Sequence, residues 1–145
     1  MRWNAPSCAL LALLTTGCGG RAAPVPPLVA PPAAELLAEL ASAALLADAR
    51  LEQDDHLYAE EVEIIADGRR RSAAPRFAGI EPGGQVVVGS TRVDLRGGCA
   101  WALVEYHWLG TGENVIREGR ATLVFARTAD GQRWLVTHAH SSQIR

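Results

Sequence analysis

The fold is decided by residues 86–142, which read VVVGSTRVDLRGGCAWALVEYHWLGTGENVIREGRATLVFARTADGQRWLVTHAHSS. Within this stretch apolar and polar residues alternate over four runs, and turns rich in glycine separate the runs. Alternation with short glycine-containing turns is typical of consecutive antiparallel strands. We therefore predict a meander of four strands, at Val86–Leu95, Ala100–Leu109, Val115–Arg127 and Trp134–Ser142.

The segment before the meander is helical in composition. From Ala33 the chain is rich in Ala, Leu and Glu, which are the strongest helix formers. Its leucines recur at helical spacing, and Asp48 falls largely off their face. We predict one amphipathic helix from Ala33 to about Asp54, with His56–Ala59 as its continuation or a short second helix.

A short hairpin is predicted between the helix and the meander. Residues alternate over Glu61–Ile64, and Asp67-Gly68 supplies the pair that a type I′ turn needs. Pro75–Ile80 is expected to form a short helical turn. A helix followed by a meander must bury both apolar surfaces against each other. The predicted fold class is therefore α+β, with a strongly bent antiparallel sheet wrapped on an N-terminal helix.

The beginning of the chain is typical of a targeting segment. Arg2 supplies a positive end, the apolar run that follows is too short to span a membrane, and it ends in Leu14-Thr15-Thr16-Gly17-Cys18. This ending resembles the bacterial lipoprotein box, although Thr15 stands where that box usually has Leu. We expect a signal peptide over residues 1–17 and lipidation at Cys18. An ordinary secretory signal cut nearby and an uncleaved anchor remain open alternatives.

Residues 18–32 are predicted to be a tether. The stretch contains five prolines, which favour an extended, semi-rigid spacer of about 3 Å per residue. A lipidated cysteine followed by such a spacer would hold residues 33–145, as one domain, off a membrane surface. The lipid anchor would be the protein's contact with the membrane. Gly19 in place of Asp after the cysteine resembles outer-membrane sorting, so we expect a cell-envelope location, on the periplasmic side of the outer membrane if the cell has one.

Composition excludes some classes of partner. The formal net charge is −2, all fourteen basic residues are arginine, and no basic stripe is present, so we expect no nucleic-acid partner. Cys99 is the one cysteine in the predicted domain, so the fold cannot depend on an intradomain disulfide. We expect Cys99 to be a small buried side chain.

Five elements together resemble the nuclear transport factor 2-like superfamily, in its SnoaL-like branch, over roughly residues 33 to 143. They are the helix from Ala33, the Asp67-Gly68 hairpin, the segment Pro75–Gly79, the strand Trp101–Tyr106 and the ending Asp130–Ser142. The ending is the most specific element, because Trp, an aliphatic residue, His, one further residue, His and Ser recur in the family's terminal strand. The helical portion is shorter than in larger members, which implies a shallower or more open pocket.

The resemblance implies a cone-like sheet that encloses an apolar pocket, and often a homodimer formed through the outer sheet face. Members of the superfamily include isomerases, dehydratases, polyketide cyclases and domains that bind or assemble. Fold-level analogy therefore assigns no reaction. We expect no cofactor.

His138 and His140 are the first candidate catalytic residues. On a regular strand they share one face with Trp134, Val136 and Ser142. Two such imidazoles could act as a general base near neutral pH or ligate zinc. Neither an HExxH motif nor a cysteine pair supplies further ligands, so we expect no metal site. The alternative is hydrogen bonding within the sheet or at a dimer face.

Glu105 is the third candidate catalytic residue, and it shares a strand face with His107 and Trp101. A buried carboxylate would have a raised pKa and could transfer a proton, as isomerases of this fold do. The alternative is a solvated carboxylate paired with Arg120 or Arg127 on the next strand.

Three further residues, Tyr58, Trp101 and His107, are candidates for a pocket lining. Tyr58 could close the pocket mouth, or it could belong to the core.

Two functions follow from these patterns. The first is a membrane-tethered module of the cell envelope that binds a small apolar ligand or a partner protein without catalysis. The alternative is an isomerase-, dehydratase- or cyclase-like enzyme that acts on a small apolar substrate by proton transfer. Burial separates them. Glu105 and one histidine directed into a single cavity would favour the enzyme, whereas outward-facing side chains would leave binding or assembly.

Overall fold

A computed structural model describes residues 33–53, 56–112 and 115–144 of the chain. The predicted signal peptide, Cys18 and the tether lie outside the described residues. Among the described residues no helix is both long and apolar enough to cross a membrane.

The helix α1 spans Ala33–Ala49 and ends earlier than the composition predicts. Leu51 has a φ of 57°, which is a left-handed conformation, and its N–H donates to the carbonyl of Asp48 at 3.1 Å. The N–H of Glu52 reaches back to the carbonyl of Ala47 at 2.9 Å. This pair of bonds is a Schellman motif, here with leucine in the position that glycine usually occupies. The motif stops the helix before the predicted end near residue 54.

Six strands form one sheet in the order β2-β1-β6-β5-β4-β3. Their bounds are β1 Tyr58–Ala66, β2 Arg69–Arg70, β3 Gln85–Arg96, β4 Cys99–Leu109, β5 Ile116–Arg127 and β6 Trp134–Ile144. The four strands of the predicted meander pair antiparallel in sequence order, which confirms that prediction. The sheet is strongly curved and does not close, since β2 and β3 form its two edges.

The N-terminal hairpin contains the predicted turn. Asp67 and Gly68 have φ values of 48° and 73°, and positive φ at both positions is what a type I′ turn requires. The sequence did not predict that β1 also pairs with β6, and that this pairing is parallel. Through it the hairpin is attached to the far side of the meander, next to the last strand.

The core lies between the helix and the concave face of the sheet, called here the inner face. The helix packs mainly on β3 and to a lesser extent on β4. The largest side chains buried there are Leu37 and Leu45 from the helix, and Tyr106, Leu123 and Phe125 from the sheet. This arrangement confirms the α+β class with a bent sheet wrapped on an N-terminal helix.

Three local predictions are wrong. His56–Ala59 is not helical, because the Leu57 carbonyl already accepts the Val136 N–H at 2.8 Å and the chain enters β1 at Tyr58. Pro75–Ile80 forms bends and a turn instead of a helical turn, because side chains accept several of its backbone N–H groups. Cys99 is exposed, since it opens β4 on the side opposite the buried Ala100.

Candidate functional site

The histidine pair lies on the convex side of the sheet, called here the outer face. Val124 on β5 pairs with His138, and the next residue, Phe125, pairs with Val136, so Thr137 is an extra residue, a β-bulge, in β6. The bulge reverses the alternation of β6 at this point. The prediction that Trp134 and Val136 share a face with the histidines is therefore wrong, because these two residues belong to the core.

Glu105 and His107 also lie on the outer face, opposite the buried side chains of β4. Glu105 accepts hydrogen bonds from the Arg120 guanidinium at 2.7 Å and from the Ser90 hydroxyl at 2.9 Å. Arg120 and then Ser90 hold the pKa of the Glu105 carboxyl below its usual value. His107 lies 3.5 Å from the Glu118 carboxylate. Of the two interpretations of Glu105, the structure therefore shows the alternative one, a carboxylate paired with Arg120.

The other candidates on the outer face are spread across the sheet. His138 is 3.6 Å from the Glu63 carboxylate of β1, and His140 is exposed. The Trp101 ring lies under the Arg96 guanidinium at 5.9 Å. Among the described residues no group of three or more His, Cys, Asp or Glu side chains is arranged to hold a metal ion. The structure does not bring the three predicted catalytic residues into one cavity.

Two of the predicted pocket residues line grooves. His107 lines a groove of about 220 Å³ together with Glu105, and Tyr58 lines a larger one. The groove at Tyr58, called here the Tyr58 groove, has a volume of about 490 Å³ and lies beside the first half of β1. Its lining residues are Gln53, Tyr58, Ala59, Glu60, Val62, Ser72 and Arg76. Trp101 and His107, the other two predicted pocket residues, are not part of it.

Arg76 is the buried charge of this groove, with 7% of its surface exposed. Its guanidinium lies over the Tyr58 ring, 4.5 Å from the ring centroid, in cation–π geometry. Its Nη2 donates a hydrogen bond to Gln53 Oε1 at 2.8 Å. Two neighbours from different parts of the chain therefore fix the orientation of the guanidinium plane.

A buried carboxylate fixes the backbone of the same segment. Asp48, in the last turn of α1, is 1% exposed and accepts the Arg76 N–H at 2.7 Å on each carboxylate oxygen. It also accepts the Phe77 N–H at 2.9 Å. Burial raises the pKa of Asp48, and the Phe77 and Arg76 N–H groups partly offset that effect. The prediction that Asp48 lies largely off the buried helix face is wrong, because the side chain has these backbone partners.

Two further hydrogen bonds fix Ala78, the next residue of this segment. The Ala78 N–H donates to Ser141 Oγ at 2.9 Å, and the Tyr106 hydroxyl donates to the Ala78 carbonyl at 2.6 Å. Burial raises the pKa of Tyr106 well above its usual range, so the phenol remains a donor. Residues 76–78 are consequently fixed from the helix, from β4 and from β6.

Sequence reasoning missed Arg76, Gln53 and Asp48. One signal was available for Asp48, since it lies eleven residues after Leu37 and so falls on the same helix face. Arg76 carried a weaker signal, as a charge placed between Pro75 and Phe77. Gln53 carried none, because its role depends on a segment more than twenty residues away.

Comparison with known proteins gives a consistent picture of the fold. A candidate ketosteroid isomerase from Parabacteroides distasonis superposes with a TM-score of 0.61 and 13% identity, over 79% of this chain and 90% of that chain. A nuclear transport factor 2-like protein of unknown function from Pseudomonas putida gives 0.59 and 18%, over 76% and 85%. One from Novosphingobium aromaticivorans, described as having a cystatin-like fold, gives 0.59 and 19%, over 76% and 80%.

This chain has the nuclear transport factor 2-like fold. The chain is less than 20% identical to each of these three structures, so the similarity shows the fold and assigns no reaction. The sequence matches no family model and none of the curated proteins.

Proposed function

We propose that this protein is a non-catalytic binding module of the cell envelope, which takes a small ligand in the Tyr58 groove. The observation that carries the proposal is that the titratable candidates and the Tyr58 groove lie in different parts of the molecule. The titratable candidates Glu105, His138 and His140 lie on the outer face, whereas the concave groove at Tyr58 contains a fixed and buried guanidinium.

Proton transfer is disfavoured by the state of Glu105. A general base in an isomerase-like site needs a pKa near the working pH, which burial would provide. Glu105 is instead engaged by Arg120 and Ser90, and its pKa is lowered, so its carboxylate is a weaker base than an unperturbed glutamate. This geometry supports a binding function over catalysis by proton transfer.

The outer face is proposed to pair with a second copy of the chain. Around the ion pairs it presents apolar side chains that remain half-buried in the single chain, namely Trp101, Leu103, Val124 and Leu135. Apolar centres surrounded by polar groups are typical of protein interfaces. The wild-type protein is expected to sediment as a dimer at about 10 μM, and Leu103→Glu as a monomer, because a charge at the centre of the interface costs several kcal/mol. A monomeric wild type would contradict this part of the proposal.

The tether and the lipidation site complete the proposed module. The Leu14–Cys18 box and the prolines of residues 18–32 support attachment of the domain to a membrane through Cys18. The ending Asp130–Ser142 supports placement in the SnoaL-like branch. In a bacterial host the full chain is expected in the membrane fraction, and Cys18→Ala in the soluble fraction. Retention of Cys18→Ala in the membrane would contradict the lipid anchor.

Ligand binding is tested with a panel of small apolar acids, ketones and sterol-like compounds. A ligand at about a hundred times its Kd adds about 2.7 kcal/mol to the free energy of unfolding, which is several degrees in Tm for a domain of this size. Unfolding is followed by intrinsic tryptophan fluorescence of the full chain in mild detergent. The shift is expected to disappear in Ala59→Trp, which fills the groove, and to persist in Glu105→Gln. If the Tm shift is lost in Glu105→Gln and retained in Ala59→Trp, the ligand binds on the outer face, and the proposal is wrong.

A further inference from the structure

We infer that the Tyr58 groove selects small organic monocarboxylates, with Arg76 binding the carboxylate and the wall formed by Tyr58, Ala59 and Val62 receiving the apolar body. The inference rests on the proposed binding function of the groove and names the class of ligand. It depends on the contacts of Arg76, the size and lining of the groove, and the shape of β1 beside it.

Arg76 is the buried arginine among the described residues. Each of the arginines at positions 50, 70, 92, 117 and 120 has a carboxylate within 4.0 Å, and all five of these side chains are considerably more exposed. Among residues 33–53, 56–112 and 115–144, no carboxylate lies within that distance of the Arg76 guanidinium. The arginines at positions 69, 71, 96, 127 and 133 likewise have no carboxylate within 4.0 Å among the described residues, but all five are exposed. A buried cation without a close anion is energetically unfavourable, so the position favours an incoming negative group.

The guanidinium retains donors for that group. Arginine carries five N–H donors in a planar fork that matches the two oxygens of a carboxylate. Within the described ranges the Arg76 fork donates one side-chain hydrogen bond, to Gln53. The Asp48 carboxylate interacts with the Arg76 charge at longer range but forms no ion pair with the guanidinium. Its two oxygens accept the backbone N–H groups of Arg76 and Phe77 instead.

The rest of the groove fits a small molecule with an apolar portion. A volume of about 490 Å³ falls within the range of about 300–1,000 Å³ that is usual for small-molecule sites. Tyr58, Ala59 and Val62 supply an apolar wall, and the exposed Glu60 adds one negative charge at the edge. That charge disfavours ligands with several negative groups, so one carboxylate is preferred over a polyanion.

The strand beside the groove is irregular. The register of β1 against β6 shifts between Tyr58 and Glu63, and the intervening residues have no partner in the parallel pairing. Irregularities of this kind are common next to binding sites, where they redirect side chains. The shift allows Tyr58 to lie on the core side and Val62 to line the groove beside it.

The experiment measures binding to the full chain in mild detergent, by titration calorimetry and by tryptophan-detected Tm. The probes are benzoate and phenylacetate, the neutral analogues benzamide and benzyl alcohol, and inorganic phosphate. Carboxylates are expected to bind at least about tenfold more tightly than their neutral analogues, because the pairing with Arg76 is charge-assisted. Phosphate, which lacks an apolar body, is expected to bind more weakly than phenylacetate.

Two pairs of variants localise the effect. Ser72→Glu places a negative charge on the exposed groove wall and is expected to weaken carboxylate binding about tenfold, whereas the matched Ser72→Gln leaves it unchanged. Arg76→Gln is expected to abolish carboxylate selectivity, and Arg92→Gln, at an exposed arginine elsewhere, is its control. If Arg76→Gln does not fold, the Ser72 pair still decides the outcome.

Four results would overturn the inference. The first is that neutral analogues bind as tightly as carboxylates and that Ala59→Trp abolishes their binding. That result would support ligand binding in the groove but not the preference for carboxylates. The second is phosphate that matches phenylacetate. The third is a large gain in carboxylate affinity on combining Asp54→Asn with Asp55→Asn, because these acidic residues next to Gln53 in the sequence would then be the natural partner of Arg76. Absence of all carboxylate binding up to about 10 mM would also overturn it.

Discussion

The two faces of the sheet use their polar groups in different ways. On the inner face, Tyr106 and Ser141 are buried and, together with Asp48 of the helix packed on that face, bond to the backbone of residues 76–78. On the outer face, Glu105 and His138 pair with other side chains across neighbouring strands and remain in contact with solvent. Buried bonds to the backbone specify one conformation of a segment, whereas exposed ion pairs add little stability. The inner face therefore fixes the structure, and the outer face is available for association.

Truncation of neighbouring residues on β5 tests this contrast with the largest expected effect. Phe125→Ala on the inner face should lower the free energy of unfolding by about 3–5 kcal/mol, because it leaves a cavity in a filled core. Val124→Ala, one residue away on the outer face, should cost less than about 1 kcal/mol. Urea unfolding measures both in the monomeric Leu103→Glu background, so that the proposed dimer interface around Val124 does not contribute. Equal losses would show that the outer face is packed as tightly as the core.

Removal of the buried carboxylate is expected to have the next largest effect. Asp48→Ala leaves the N–H groups of Arg76 and Phe77 buried without an acceptor, which should cost about 2–4 kcal/mol. Asp48→Asn is the closer control, because it keeps one acceptor oxygen in place. Each buried donor that loses its acceptor costs about 1–3 kcal/mol. A loss below about 1 kcal/mol for Asp48→Ala would therefore contradict the proposed role of these hydrogen bonds.

The same residue predicts a pH dependence. The folded pKa of Asp48 is raised above the ordinary value of 3.8, so the folded protein holds this proton more tightly than the unfolded chain. Its contribution to stability is then complete below pH 3.8 and declines as pH rises through the folded pKa. The stability of Asp48→Asn relative to the wild type should therefore increase with pH over this window, in a series of urea titrations. A difference that falls with pH would mean that the N–H bonds outweigh burial.

A close contact on the inner face gives a smaller effect. At Gly119 a Cβ would lie 2.3 Å from the Tyr106 ring, so Gly119→Ala must displace that ring and should cost about 1–3 kcal/mol. Gly98→Ala meets no atom within 4 Å and should be nearly neutral. Thermal unfolding compares the two variants. A stable Gly119→Ala with an intact Tyr106–Ala78 hydrogen bond would show that the ring can move freely.

The smallest effect is expected at Glu105. Glu105→Gln removes an exposed ion pair with Arg120, and the stability of the monomer should not change measurably. The readout that should respond is dimerisation, whose salt dependence is expected to decrease. Sedimentation at low and high salt checks this, with His107→Gln as a comparison on the same strand face. A clearly destabilised monomer would indicate that the outer face also supports the fold.

The meander was predictable because its alternation and its turns are local features of the sequence, as in Ala100–Leu109. The position of His138 and His140 was not, because it depends on a bulge at Thr137 that no local signal marks. The Tyr58 groove was equally hidden, since Gln53, Tyr58 and Arg76 meet only through tertiary contacts. Of the groove, sequence reasoning identified Tyr58 alone.

The parallel pairing of β1 with β6 has a consequence for the way the chain folds. The helix and the hairpin are synthesised first, yet Ile64 finds its neighbour Ala139 in the last described strand. Until that strand emerges, β1 has β2 as its one strand partner among the described residues, with Ile64 and Ala66 still without their final cover. Forming such distant contacts is slow because a long loop must close first. The nascent domain thus carries an incomplete sheet edge from the synthesis of the hairpin until β6 emerges, and the pairing of β6 with β1 is a late step of its folding.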